Sequence, residues 1–216
     1  MTKVHENRDV ADNRGNVYGL LATVFGQEIS SDLLHQIKDP RFLGVLSGLG
    51  IEFKGDFFEK PDEDLIEELA VEFTRLFLGP GKHISPHESI HHEREDGQWG
   101  KLWGQSTVDA KKFIESAGFD YKSEYKGLPD HISVELEFMQ QVALSEAKAW
   151  QDQDKEKALY CLQIERKFIE EHLSRWVPAF CKKVMQDTES HFYKGVAELA
   201  QKFIEFECKE IIKEDS

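Results

Sequence analysis

The chain has 216 residues and a formal net charge of −14, and 40% of its residues are hydrophobic. This length suffices for one sizeable core or two small ones. Nucleic-acid binding needs clustered lysine and arginine side chains against phosphate, so the excess of acidic residues argues against it. The same charge suits a solvated surface or a partner that carries positive charge.

Apolar residues in the first half of the chain recur at helical spacing. A weak helix is predicted around residues 33–37, and the glycine-punctuated residues 40–56 predict a short helix and a loop. A stronger helix starts after acidic residues 62–64, which suit the positive end of a helix, and it ends at the Gly-Pro-Gly of residues 79–81. Two apolar stripes mark the first helix and the strong one: Val17, Leu20, Leu21 and Val24, then Leu65, Leu69, Phe73 and Phe77.

The second half of the chain is also helical in pattern, after a histidine-rich loop at residues 82–96. Residues 99–117 predict a helix that Gly118 closes. The helix that follows Pro129 has two apolar faces, which indicates a central position in a helix bundle. No segment shows sustained alternation with the period of two that is typical of a strand. Three more helices are predicted at residues 155–172, 176–184 and 192–211.

This pattern predicts an all-α fold, a single helical-bundle domain of roughly eight or more helices over residues 1–216. N-terminal helices occupy about residues 10–117, C-terminal helices occupy residues 131–213, and a hinge-like loop lies near 118–130. The N-terminal residues are polar, and no apolar run reaches the ~18 residues of a membrane span. We therefore expect a cytoplasmic protein with no stable membrane insertion.

The segment Pro129-Asp130-His131 stands at the start of the two-faced apolar helix. Proline is tolerated at a helix start, and Asp130 can cap the helix or complement its positive end. The other interpretation is an acid–base or binding dyad, in which the adjacent carboxylate raises the pKa of His131. Local chemistry leaves both interpretations open.

Histidines in the loop after the Gly-Pro-Gly break are candidate metal ligands. His83, His87 and His91 are spaced by four residues, which would place them on one helix face, but the preceding Gly-Pro-Gly argues against a regular helix there. His131 and Glu135, one helical turn apart, are a weak metal signal. We therefore expect no metal and no cofactor. A helical metalloprotein or hydrolase using this loop and His131 is the alternative function.

Two common enzymatic motifs are missing from the sequence. It contains neither a Gly-x-x-x-x-Gly-Lys-Ser/Thr phosphate loop nor a Gly-x-Ser-x-Gly nucleophile motif, so we expect a protein that is not an enzyme. Apolar residues just before the Gly-Pro-Gly break belong either to the core or to a groove for an apolar partner helix. These residues are Phe73, Leu76, Phe77 and Leu78.

Four short sequence blocks, in order along roughly residues 10–210, carry a family resemblance. They contain Leu-Phe-Leu-Gly-Pro, Pro-His-Glu-Ser-Ile, Pro-Asp-His-Ile with the following Glu-Leu-Glu-Phe-Met, and His-Leu-Ser-Arg-Trp-Val-Pro-Ala-Phe, at residues 72–81, 86–90, 129–139 and 172–180. In this combination the chain resembles the TorD/DmsD/NarJ family of redox-enzyme maturation chaperones, in particular its TorD/DmsD branch.

The resemblance implies an all-helical cytoplasmic chaperone. Such proteins bind the precursor of a molybdenum- or tungsten-containing oxidoreductase, often at its twin-arginine signal peptide, assist cofactor insertion and folding, and delay export until maturation is complete. The loop that contains Pro129 would act as a hinge between the two helical groups. The motifs assign peptide binding to Phe73, Leu76, Phe77, Pro129, Asp130, His131 and Glu135.

A twin-arginine signal has a basic start and a short apolar core, which an acidic and apolar surface complements. Asp62, Glu63, Glu72 and Asp130 are the acidic candidates. The sequence leaves open which oxidoreductase is the client and whether its signal peptide or its mature core is the main binding partner. It also leaves open whether a guanine nucleotide or molybdenum cofactor is bound, and whether the protein is a monomer or a domain-swapped dimer. A plain interaction subunit with a permanent partner is a third interpretation.

Overall fold

The computed structural model describes residues 3–48, 51, 53, 56–79, 81–91, 100–118 and 127–213. Within these ranges the chain forms eleven α-helices, and the only β-type pairing is an isolated bridge between His87 and His131. The prediction of an all-α fold with eight or more helices is confirmed. No helix in the described ranges combines the length and apolar character of a membrane span.

The helices follow one another with short connections where the chain is described. π-Helical turns at Thr74–Leu78 and Ile169–Leu173 directly follow α5 and α9. The α-helices are α1 (Lys3–Gly26), α2 (Ser31–Ile37), α3 (Pro40–Gly48), α4 (Asp56–Glu59), α5 (Asp62–Phe73), α6 (Glu88–His91), α7 (Gln105–Ser116), α8 (Ile132–Gln151), α9 (Lys155–Phe168), α10 (Ser174–Asp187) and α11 (His191–Lys213).

Two compact units are assembled from segments that are distant along the sequence. Unit 1 contains Met1–Gly26, His87–Val177 and Ile204–Ser216, and unit 2 contains Gln27–Pro86 and Pro178–Phe203. Most of the predicted hinge at 118–130 lies outside the described residues. The single domain with N-terminal and C-terminal helical groups therefore stays a prediction.

Helix α8 is the core of unit 1, in agreement with its two apolar faces. It packs along α1 on one side and against α9 on another, and most of its side chains are buried. Glycines let α1 approach closely: a Cβ added at Gly15 would lie 3.0 Å from Leu144 Cδ2, and one added at Gly26 would lie 3.0 Å from Ser133 Cβ. Helix α1 is thus fitted to α8 along its length.

Aromatic side chains form the core of unit 2. The rings of Phe53, Phe57 and Phe192 lie 4.7–5.7 Å apart between centroids, which is within the range of favourable aromatic contacts. Ser30 caps α2 by accepting a hydrogen bond from the backbone N–H of Leu33 at 3.2 Å. The short helices of this unit therefore depend on contacts rather than on length: α2 on its cap, and α4 on the aromatic packing of Phe57.

One arginine in unit 1 faces three buried carboxylates from three helices. Arg14 in α1 donates to both oxygens of Glu207 at 2.8 and 3.0 Å, to Glu146 at 3.0 Å and to Glu165. The hydroxyl of Tyr18 also donates to Glu207, at 2.9 Å. Burial raises the pKa of Glu165 to about 8, against the opposing charge of Arg14, and also raises the pKa of Glu146. A single guanidinium does not compensate three buried negative charges, so Glu165 and Glu146 hold their protons to higher pH than exposed carboxyl groups do.

We expect Glu165→Gln to change the pH dependence of stability. The folded pKa of about 8 lies above the ordinary value of 4.5, so the folded protein holds a proton that the unfolded chain releases. Wild-type stability therefore contains a contribution that is complete below pH 4.5 and is lost as the pH rises through 8. As the pH rises from 4.5 to 8, the free energy of unfolding of the variant should therefore increase relative to that of wild type, by about 1.4 kcal/mol for each pH unit.

Urea unfolding of both proteins at several pH values between 4.5 and 8 measures this difference. Glu156→Gln, at an exposed position in the same helix, is the control and should show no such trend. A difference between Glu165→Gln and wild type that stays constant over this range would contradict the raised pKa.

Candidate functional site

Three of the four motif blocks meet in a buried polar cluster of unit 1. They contribute α6, the start of α8, and the π-turn with the start of α10. The cluster has five polar side chains and the indole of Trp176, and each of the six is at most 4% exposed. Their burial in a helical core requires that each finds a polar partner. The cluster consists of Glu88, Asp130, His131, Glu135, His172 and Trp176.

Asp130 holds the segment around α6 against the start of α8. Its backbone carbonyl accepts a hydrogen bond from the backbone N–H of Glu88 at 2.9 Å, and its Oδ2 accepts one from the N–H of Ser89 at 3.0 Å. The carbonyl and the carboxylate of Asp130 therefore each satisfy one donor at the N-terminal end of α6, since the first N–H groups of a helix lack partners within it. The sequence expectation that Asp130 caps the helix after Pro129 is wrong.

His131 is the N-cap of α8 instead. Its Nδ1 accepts a hydrogen bond from the backbone N–H of Ser133 at 3.2 Å and lies 2.7 Å from Ser133 Oγ. Burial, with a contribution from His87, lowers the pKa of His131 to about 3. The expectation that a neighbouring carboxylate raises this pKa is wrong, because desolvation favours the neutral ring. A neutral imidazole suits capping better than acid–base chemistry.

Glu88, Glu135 and His172 form the centre of the cluster. Nδ1 of His172 lies 2.8 Å from Glu88 Oε2, and the indole N–H of Trp176 donates to Glu135 Oε2 at 3.0 Å. One ligand-capable atom from each of the three residues lies within 4.8 Å of the other two. Burial, followed by the charge of Glu88, raises the pKa of Glu135 well above its ordinary range.

The histidines of the predicted metal loop occupy separate environments. His83 is exposed in unit 2, with Nδ1 at 3.3 Å from the carbonyl of Gly81. In unit 1, His87 packs edge-on against His131, and His91 stacks on Trp176 with ring centroids 5.4 Å apart. Within the described residues, the one trio of neighbouring metal-capable side chains contains none of these histidines.

The predicted peptide-binding residues divide between the two units. Phe73, Leu76 and Phe77 come together in the core of unit 2, where each is at most 4% exposed. Phe77 packs on Phe73, on Phe180 and on Tyr193 with ring centroids 5.2–6.2 Å apart. The other predicted residues are all buried in unit 1: Pro129, Asp130, His131 and Glu135. Their role in peptide binding stays a prediction.

A groove of about 220 Å³ opens on unit 2 beside these buried aromatic residues. The buried residues of its lining are apolar, whereas the exposed ones are polar and mostly acidic. Phe192 belongs to this lining and contacts Tyr193, which packs on Phe73 and Phe77. The groove is lined by Phe57, Leu65, Glu68, Leu69, Glu72, Glu189, Ser190, His191 and Phe192.

Glu72 is fixed at the edge of this groove as an ionised side chain. It accepts hydrogen bonds from Thr188 Oγ at 2.6 Å, from the backbone N–H of Glu189 at 3.2 Å and from Arg75 at 2.7 and 2.9 Å. Burial alone would raise its pKa, but the hydrogen bonds from Arg75 and Thr188 outweigh burial and lower the pKa below its ordinary value. The sequence indicated Glu72 as an acidic candidate but gave no sign of Glu68 or Glu189.

Known proteins match the chain over most of its length. The family model described as nitrate reductase delta subunit matches residues 51–182. The chain is 26% identical to chaperone protein TorD of Photobacterium profundum, over 94% of this chain and 96% of that protein. It is 24% identical to chaperone protein TorD of Shewanella pealeana, over 96% and 94% of the two chains.

A solved structure shares the helical fold. It is that of a protein from Archaeoglobus fulgidus assigned to redox enzyme maturation, with a TM-score of 0.50 at 24% identity, covering 89% of this chain and 93% of that chain. This likeness shows the all-α fold that the sequence predicted. The chain belongs to the nitrate reductase delta subunit family, the TorD/DmsD/NarJ family that the motif blocks indicated.

Proposed function

We propose that this protein is a non-catalytic cytoplasmic chaperone for the precursor of a molybdenum- or tungsten-containing oxidoreductase. It binds the twin-arginine signal peptide, assists cofactor insertion and folding, and delays export until maturation is complete. The observation that carries the proposal is the acidic, apolar-lined groove of unit 2. A twin-arginine signal combines positive charge with a short apolar segment, and the groove offers the complement of both.

The glutamates of the groove supply the electrostatic part of the complement. An arginine guanidinium forms paired hydrogen bonds with a carboxylate, which gives geometric specificity as well as affinity. Glu68 is exposed and pairs with Lys60 Nζ at 2.7 Å. An exposed ion pair of this kind contributes little to stability, so an incoming arginine can replace the lysine at small cost.

The apolar part of the groove comes from α4, α5 and the start of α11. Phe57, Leu65 and Leu69 lie at its base and are buried in the free protein. Tyr193 donates its hydroxyl to the carbonyl of Leu69 at 3.3 Å, which ties α11 to α5 below the groove. Because this surface is already formed in the free protein, binding costs less conformational entropy.

Fluorescence anisotropy with a labelled twin-arginine signal peptide tests the proposal. The double variant Glu68→Gln, Glu189→Gln should bind about fivefold more weakly, since two exposed charge pairs contribute roughly 0.5 kcal/mol each. The difference should shrink as salt is added, because exposed charges are screened. A peptide with lysines in place of both arginines should reduce the effect of the double substitution.

Glu67→Gln is the matched control, since Glu67 is exposed in the same helix but does not line the groove. The variant Asp130→Ala, His131→Ala tests the motif residues of unit 1 in the same assay. Unchanged peptide affinity of the groove variant across a salt series would exclude the groove as the binding site. Loss of affinity only in the Asp130, His131 variant would move the site to unit 1.

A further inference from the structure

We propose that Glu88, Glu135 and His172 of unit 1 form a binding site for a divalent transition-metal cation, with zinc the best match. This inference concerns the buried cluster alone and does not depend on the peptide groove. The sequence predicted no metal; its candidate ligands were the loop histidines His83, His87 and His91 and the weak pair His131 and Glu135, of which only Glu135 belongs to this cluster. The three residues come from α6, from the first turn of α8 and from the π-turn after α9.

The spacing of the three donors fits a single ion. One ligand-capable atom of each residue lies within 4.8 Å of the others. Donors about 2.1 Å from one tetrahedral ion lie about 3.4 Å from each other, so small side-chain adjustments suffice. The shortest contact, 2.8 Å between His172 Nδ1 and Glu88 Oε2, is a hydrogen bond whose proton the ion would replace.

A buried carboxyl oxygen supports a ligand at this position independently of the spacing. Oε1 of Glu135 is buried and accepts from no N–H donor among the described residues, and the carboxyl groups of Glu135 and Glu88 can form a hydrogen bond with each other only by sharing a proton. The carboxylate of Glu88 acts on Glu135 at close range, and two carboxylates offer only acceptors to each other. Either a proton or a cation must therefore lie between them, and a divalent cation neutralises both carboxylates at once.

The surroundings orient the ligands as in known metal sites. The indole N–H of Trp176 holds Glu135 Oε2 at 3.0 Å, which leaves the other oxygen for an ion. The ring of His172 stacks on Phe168 with centroids 4.7 Å apart, which fixes its plane. Such outer contacts fix ligand orientation and strengthen metal binding. One imidazole and two carboxylates suit zinc, whereas calcium and magnesium prefer oxygen ligands alone.

Metal analysis of the full-length protein, purified without chelators, is the direct test. We expect one equivalent of zinc for each chain, and a thermal midpoint about 5 °C higher with zinc than with EDTA. Cobalt in place of zinc should give visible absorption bands of low-symmetry coordination. Absence of stoichiometric metal, together with an unchanged midpoint on zinc addition, would leave a shared proton as the occupant and overturn the proposal.

The variant Glu135→Gln tests whether this cluster binds the metal. Glutamine keeps an acceptor for Trp176 and removes the charged ligand, so zinc affinity should fall at least about tenfold. Glu146→Gln is the matched control: Glu146 is also buried in α8 and accepts an indole N–H, from Trp150 at 2.7 Å. This control and His83→Ala, in the exposed loop, should both retain zinc.

Equal zinc binding by Glu135→Gln and wild type, or loss of zinc in His83→Ala, would place the ion elsewhere and overturn the proposal. If Glu135→Gln fails to fold, the wild-type measurements decide. One chelator-reversible equivalent with the cobalt spectrum of a nitrogen–oxygen site supports the cluster, and a hexa-aquo-like cobalt spectrum refutes it.

Discussion

Arg14→Met should destabilise the protein by about 3–5 kcal/mol at pH 7. Methionine fills much of the same volume but leaves Glu146, Glu165 and Glu207 buried without their common cation. A buried charge without a partner is far more unfavourable than the loss of an exposed pair. Urea unfolding, followed by the midpoint and by the slope of the transition, measures the change.

The pH dependence of this loss separates charge from packing. Glu165, with a pKa of about 8, is already mostly protonated at pH 7, and Glu146, whose pKa burial also raises, takes up a proton as the pH falls, so the difference between Arg14→Met and wild type should shrink toward pH 4. Arg8→Met is the control, because Arg8 lies in the same helix, is half-exposed and pairs only with the adjacent Asp9 among the contacts described. It should change stability by less than about 1 kcal/mol. Equal losses for both variants at pH 7 would show that the cluster does not stabilise unit 1.

Phe168→Ala should destabilise the protein by about 3–5 kcal/mol. Phe168 is fully buried at the end of α9, and its ring lies 4.8 Å from that of Phe138 and 5.2 Å from that of Phe113. Truncation to alanine removes these contacts and leaves a cavity that rigid helices close only in part. The His172 ring, stacked on Phe168, loses its support at the same time.

Thermal and urea unfolding of Phe168→Ala measure this effect. Tyr160→Ala is the control, since Tyr160 is an aromatic residue of the same helix that is 53% exposed. That substitution should change stability by no more than about 1 kcal/mol. A Phe168→Ala midpoint within the range of the control would mean that the aromatic packing around α9 adds little to stability.

Apolar periodicity predicted most helices and the central position of α8, because a buried helical face leaves a direct trace in the sequence. It did not predict the π-turns at Thr74–Leu78 and Ile169–Leu173, since a pattern with a constant 3.6-residue period conceals one inserted residue. The helix predicted from residue 99 begins at Gln105. Trp103, expected in that helix, is exposed and has a φ of 65° that no helix accommodates.

The candidate site was predicted less completely than the fold. The motif blocks pointed to Asp130, His131 and Glu135 but did not show that these side chains are buried. The burial of Phe73 and Phe77 was equally unpredictable, because an aromatic residue at helical spacing serves a core and a groove equally well. The contact between Glu88 and His172 joins residues 84 positions apart. The groove likewise joins α5 to the start of α11. Neither pairing follows from local sequence, so only the tertiary structure brings these residues together.

The pairing of Arg14 with Glu207 has a consequence for biosynthesis. The two residues are 193 positions apart, so α1 emerges from the ribosome long before its partner on α11 exists. Until then, Arg14 on α1 lacks the carboxylate of Glu207, and contacts of such high sequence separation form late. A protein that belongs to a chaperone family thus completes its own unit 1 only after α11 has been translated.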